Sequence, residues 1–131
     1  MKIDHIAIWT NNLEQLKNYY IQFFDGTSNQ KYFNPKTQFE SYFISFETGC
    51  RLELMTNPDI ETRDNHKSDY GGITHLAFEV DTKAGVDLKF KEIEAAGFSI
   101  LKQPRTTGDG YYEFVTADID GNIIEITTKE Q

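Results

Sequence analysis

The chain has 131 residues, 38% apolar and 14% aromatic, which suits one domain with a substantial core and excludes a disordered segment. Its formal net charge is -8 and no Lys or Arg stripe runs through it, which excludes nucleic acid and an anionic membrane surface as partners. A lone Cys50 closes no internal disulfide, the opening "MKIDHIAIW" lacks the pattern of a secretion signal, and no run approaches the ~18–20 apolar residues of a membrane helix. A cytoplasmic location is therefore expected. Ten Phe and seven Tyr favour a fold rich in sheet.

In chain order, residues 3–10 ("IDHIAIWT") read as a strand. "NLEQLKNYYIQFF" reads as a helix, with Leu13, Leu16, Tyr20 and Phe23 on one face, Asn12 as N-cap and Gly26 as stop. A weak strand near "SNQKYF" precedes stronger ones at "SYFISFE" and "RLELMT", with "TGC" as the turn between the last two. Residues 57–72 form a polar linker containing Pro58, His66 and Gly71-Gly72, with the composition of a mobile flap; His66 reads as a surface residue. "ITHLAFEV" is again a strand. Thr82 is the candidate cap of a helix that buries Val86, Phe90 and Ile93 and ends at Gly97. Strands follow at "FSILK", "YEFVTAD" and "NIIEITT", with Asp120-Gly121 as the hairpin turn between the last two.

Each half therefore reads β-α-β-β-β, and the registers match. His75 follows His5 by 70 positions and Glu125 follows Glu53 by 72, within "Leu52-Glu53-Leu54" and "Ile124-Glu125-Ile126". We read one domain over 1–131, built from duplicated modules at about 1–56 and 73–131. Its class is α+β: two tandem βαβββ modules forming a curved, barrel-like mixed sheet with helices outside.

Strand side chains alternate faces. Ile6, Ile8, Leu52, Leu54, Leu76, Phe78, Ile124 and Ile126 take one face, while His5, Glu53, His75 and Glu125 take the other. Taken singly, a strand His or Glu is usually a surface residue. Two matched pairs opposite apolar faces point instead to a metal. Imidazole and carboxylate suit one divalent ion of Ni, Co, Zn, Mn or Fe, and four such ligands leave about two positions open in an octahedral shell.

The double module, with "DHIAIW", "RLELM", "ITHLAFEV" and "ADIDGNIIEI", resembles the vicinal oxygen chelate superfamily across essentially the whole chain. That group includes glyoxalase I, methylmalonyl-CoA epimerase, extradiol dioxygenases, fosfomycin-resistance thiol transferases and bleomycin-binding proteins. Its most specific piece here is the closing D-x-D-G-N-x-x-E-I, from Asp118 to Ile126. The resemblance is closest to glyoxalase I, whose ligand set is also His-Glu-His-Glu. Dioxygenases and fosfomycin enzymes use three protein ligands, and the epimerase usually has Gln where this chain has Glu53. Asn57 matches a position that helps hold glutathione in glyoxalase I.

One departure stands out. Where glyoxalase I typically grips a glutathione carboxylate with arginine, this chain has Trp9, which offers no bidentate charged pair. Trp9 reads either as a stacking platform for an aromatic or apolar substrate or as core filler. The segment "QPRTTGDGYY" (103–112) resembles a loop that closes over substrate, with Arg105 as a candidate anion contact. Phe39, Tyr42, Phe43 and Tyr112 are candidate cavity residues.

The resemblance implies a metal-dependent, glyoxalase-I-like lyase or isomerase acting on a small substrate with vicinal oxygens, such as the hemithioacetal of a 2-oxoaldehyde. Glu125 is then the base that moves the proton, with Glu53 as its pseudo-symmetric alternative. A homodimer is expected by the same resemblance. The alternative is a non-catalytic small-molecule or drug-binding protein of the bleomycin-resistance type.

Overall fold

The computed structural model describes residues 1–62 and 71–129. The chain divides into two compact units, Met1–Asp64 and Asn65–Gln131. Each is a mixed sheet carrying one helix, and neither sheet closes into a barrel. The expected α+β class of two βαβββ modules holds.

In the first unit, β1 (His5–Trp9) leads into α1 (Leu13–Phe24), then β2 (Thr27–Ser28), β3 (Tyr32–Asn34), β4 (Phe39–Ser45) and β5 (Arg51–Thr56). The sheet order is β1-β5-β4-β2, with β3 also pairing β4. The weak strand expected near "SNQKYF" is thus two short pieces lying against one long partner. β1 runs parallel to β5, setting Ala7 opposite Glu53 and His5 opposite Arg51.

Helix α1 forms because Leu13, Leu16, Tyr20 and Phe23 recur at helical spacing, and all four are buried, with Tyr19 beside them. They pack toward Tyr42, Ile44, Leu52 and Leu54 on one face of the sheet. The helix start departs from expectation. Asn12 is the N-cap but makes no side-chain cap bond; the Thr10 hydroxyl instead accepts from the Asn12 N–H at 2.8 Å. The stop differs too. Asp25, not Gly26, takes the left-handed conformation, at φ 54°. Gly26 serves a different need: a Cβ there would meet Ile44 Cγ2 at 2.6 Å, so only hydrogen leaves room for the strand beneath.

The second unit runs β6 (Leu76–Glu79), α2 (Lys83–Ala95), β7 (Ile100–Thr106), β8 (Tyr112–Ala117) and β9 (Ile123–Thr128), in sheet order β6-β9-β8-β7. β6 is parallel to β9, with Ala77 opposite Glu125. The Thr82 hydroxyl accepts from Gly85 N–H at 3.0 Å, as its capping role requires. Val86 and Ile93 are fully buried and Phe90 is half-buried, its ring edge-on to Phe114.

Asp118 builds the β8–β9 turn. Its carboxylate accepts from the backbone of Asp120 and Asn122, both at 2.9 Å, and from the Asn122 amide at 2.8 Å. The segment expected to be a loop from 103 begins as strand, since β7 reaches Thr106. Pro104 is tolerated there because β7 is the sheet edge and its ladder with β8 is irregular between Lys102 and Arg105. Only 107–111 turn, under Thr107.

Candidate functional site

Each sheet packs its helix against one face and carries the sequence-predicted carboxylate, Glu53 or Glu125, on the other. In the first unit the second face carries His5, Ala7 and Trp9 of β1 alongside Arg51, Glu53 and Met55 of β5 and Phe43 of β4. Asp4, just before the strand and exposed, organises one end. Its carboxylate meets His5 Nδ1 at 2.7 Å and Arg51 at 2.7 Å, which holds the acid below its ordinary range, His5 first and Arg51 second. With Nδ1 turned to Asp4, His5 presents Nε2. A carboxylate behind an imidazole is the common orienting arrangement for a metal-ligating histidine. Phe43 packs edge-on to His5 at 5.3 Å, and the Arg51 guanidinium lies 4.3 Å above the Phe43 ring. Arg51 and Asp4 carried no functional reading in the sequence, although Arg51 stands two positions before Glu53 and so shares its face.

In the second unit, the face opposite α2 carries Ala77 of β6, Glu125 and Thr127 of β9, Glu113 and Val115 of β8, and Arg105 of β7. His75, just before β6, brings Nε2 to 3.4 Å from Glu125 Oε2. Two ligands bound at ~2.1 Å to one ion stand ~3.0–3.4 Å from each other, so this spacing fits two donors of a common metal. Thr127 Oγ1, on the same face, is buried with no hydrogen-bond partner among the described residues. Such an atom is what a bound ligand group or ordered water usually completes.

Glu113 is the residue that the sequence reading missed. It is 7% exposed and 3.4 Å from Arg105. Burial first, then the charge of Glu125 and a hydrogen bond to it, push the Glu113 carboxyl up, and Arg105 only partly opposes this. A carboxyl with a raised folded pKa contributes stability that is complete at low pH and lost as pH rises through that pKa. In metal-free protein, Glu113→Gln is therefore expected to raise Tm at pH 8 and to leave it unchanged or lower at pH 4. A Tm gain that is equal at both pH values would contradict this. The available sequence signal was alternation: Glu113 lies opposite Phe114 in facing, as Glu125 does opposite Ile124.

The remaining candidates divide. Trp9 is 49% exposed and lies edge-on to Phe39 at 6.1 Å within the first unit. Asn57 and Phe39 line a cleft of about 530 Å³ in the first unit, with Tyr32, Asn34, Thr37, Pro58 and Asp59. Tyr42 and Tyr112 belong to the helix faces instead. Tyr42 donates to Glu14 of α1 at 3.0 Å, and Tyr112 donates to Asp87 of α2 at 2.8 Å. Arg105 has 41% side-chain exposure, leaving part of its guanidinium available beside Glu113. His66 lies outside the described residues.

The donor types fit a first-row divalent ion, with one His and one Glu on the chemical face of each unit. Among the described residues, no group of three or more His, Cys, Asp or Glu is drawn together. No helix among the described residues is long and apolar enough to cross a membrane.

The family model for the Glyoxalase/Bleomycin resistance protein/Dioxygenase superfamily matches residues 2–126. No curated protein sequence matches the chain. Among solved structures, glyoxalase I from Zea mays superposes with a TM-score of 0.79 at 21% identity, covering 96% of this chain and 44% of that one. A glyoxylase/bleomycin resistance protein/dioxygenase domain from Frankia sp. EAN1pec gives 0.81 at 15% identity, covering 99% and 98%. The trypanothione-dependent glyoxalase I of Leishmania major gives 0.77 at 19%, covering 98% and 87%. The chain thus spans less than half of the maize enzyme, and at these identities the likeness is one of fold.

Proposed function

Because this chain belongs to the Glyoxalase/Bleomycin resistance protein/Dioxygenase superfamily, we propose that it is a metal-dependent lyase or isomerase of glyoxalase-I type. Its substrate is a small molecule with vicinal oxygens, such as the hemithioacetal of a 2-oxoaldehyde. Members of the superfamily commonly bind a divalent metal, take small-molecule substrates and often form dimers.

His5, Glu53, His75 and Glu125 are the proposed ligands, for one ion of Ni, Co, Zn, Mn or Fe. The observation that carries this reading is the 3.4 Å approach of His75 to Glu125 on a face that also buries an unpartnered Thr127 hydroxyl. The first unit matches it in kind, with Asp4 orienting His5 on the face of Glu53. When bound, the ion supplies Lewis acidity toward a substrate oxygen. Glu125 carries the proton between adjacent carbons, and Glu53 is its counterpart. Trp9 and Asn57 bind one arm of the substrate, and Arg105 contacts an anionic oxygen. A cytoplasmic homodimer is the setting we propose.

A second reading has one observation in its favour. Trp9 and its aromatic neighbours stand where an anion grip is expected, which suits a protein that sequesters a small molecule without turning it over. Reconstituting the purified protein with each of the five metals separates the two readings. About one equivalent retained per chain, with hemithioacetal isomerisation, supports the lyase. No retained metal under any condition removes it and leaves the binding protein.

A further inference from the structure

The cleft of the first unit has a chemistry of its own. Two aromatic rings line it, Phe39 and Tyr32, which meet at 6.1 Å, and Trp9 stands beside the lining, edge-on to Phe39 at 6.1 Å. Trp9 and Tyr32 are each about half exposed, so this is a presented aromatic surface and not part of the packed core. At about 530 Å³ the cleft is the size of a small-molecule site.

Its charge is one-sided. Among the described residues, Asp59 is the lining residue with a negative charge, and no Lys or Arg lines the cleft. Two described basic groups of the first unit are engaged elsewhere. Lys31 binds Glu14 at 2.6 Å and Glu40 at 3.1 Å, and Arg51 is held by Asp4 at 2.7 Å. Lys36 sits in the adjoining turn without lining the cleft; what that turn gives Asn34 is the backbone N–H of Lys36, at 3.0 Å. The Asn57 side-chain oxygen is likewise spent, on the N–H of Asp59 at 2.9 Å. These asparagines offer neutral hydrogen bonds and no positive charge.

Aromatic faces are electron-rich and attract cations, and a carboxylate beside them adds to that attraction. A ligand carboxylate would find repulsion from Asp59 and no cation to answer it among the described lining residues. We propose that this cleft binds a flat aromatic ligand carrying a positively charged nitrogen. It is the specificity pocket for one arm of the substrate. As a statement about substrate this rests on the metal-dependent reading above. Trp9 stands four strand residues from His5, about 13 Å, so an extended arm reaches from one to the other.

The test uses metal-free, chelator-treated protein, so that failure of the metal site leaves it unaffected. Three probes share one ring and differ in charge: 4-nitrobenzyl-trimethylammonium, 4-nitrobenzyl alcohol and 4-nitrobenzoate. Calorimetry gives affinity, and the nitro ring quenches Trp9, the single tryptophan of the chain. The cation is expected to bind at least ~10-fold more tightly than the alcohol, with the benzoate weakest and quenching tracking the heat. Asp59→Asn, an exposed loop change that spares the fold, is expected to cut the preference for the cation to less than about threefold. Tyr32→Ala is expected to weaken all probes. Equal binding of cation and benzoate, a cation preference that survives Asp59→Asn, or no binding by any probe would each overturn the proposal.

Discussion

Glu125→Gln is expected to lower divalent-metal affinity by more than about 100-fold, read as metal retained per chain after desalting. Even partners that merely orient a ligand typically cost 10- to 100-fold when removed, so loss of a donor itself costs more. Glutamine keeps the shape of the side chain and removes its charge. The neighbouring Ile124 and Ile126, buried against the helix side, are untouched, so the strand pairing persists. Glu125 is also the better probe of the four. Its carboxylate faces His75 at 3.4 Å and is only 18% exposed, so solvent cannot easily replace it. Wild-type metal content in the variant would remove Glu125 from the ligand set and with it the assignment of the catalytic proton transfer. If the proposed function holds, the same variant should lose isomerase activity in proportion to metal at low loading, and should stay inactive when metal is forced to saturation, since the proposed base is removed.

Phe114→Ala is expected to destabilise the second unit by about 3–5 kcal/mol, measured by urea unfolding. Phe114 is fully buried, registers opposite Ile126 and lies edge-on to Phe90 of α2 at 5.5 Å. Truncation leaves a void between sheet and helix that neither rigid element can collapse to fill. The effect also reaches chemistry, because Glu113 and Val115 flank Phe114 on the opposite face. A loss below about 1 kcal/mol would mean that α2 does not pack on β8 as described.

The aromatic cavity candidates that turn to the helix faces do so for two different reasons. Tyr42 and Phe43 are neighbours in one strand and cannot share a face, yet both stood as cavity candidates. Alternation alone separates them once one is fixed, and Ile44 and Leu54 fix Tyr42 on the helix side. Tyr112 was harder to judge. Its hydroxyl reaches Asp87 on a helix 25 residues away, a partner that no local pattern names. Glu14 shows the same limit. In sequence it is one acid in a helical first turn. In the fold it meets Lys31 at 2.6 Å as well as Tyr42, and the Lys31 bond, ahead of Tyr42 and Lys17, holds its carboxyl below the ordinary range.

What the sequence determined by itself was everything that local covalent geometry transmits. Period two along a strand set His5 and Glu53 against Ile6 and Leu52, and it set Glu125 against Ile124. Period 3.6 chose Leu13, Leu16, Tyr20 and Phe23 as the buried stripe of α1. The duplicated order of elements followed, and with it the family. Tertiary structure alone decided what depends on residues far apart in the chain. It made Glu113 a buried partner of Glu125, kept Gly26 free of a side chain under Ile44, and ran β7 through Pro104 along an open edge. It also joined Trp9, Phe39 and Tyr32, from three different strands, into one aromatic wall. Spacing fixes which way a side chain faces, but burial, pairing and desolvation are set by the partner that the fold brings to it.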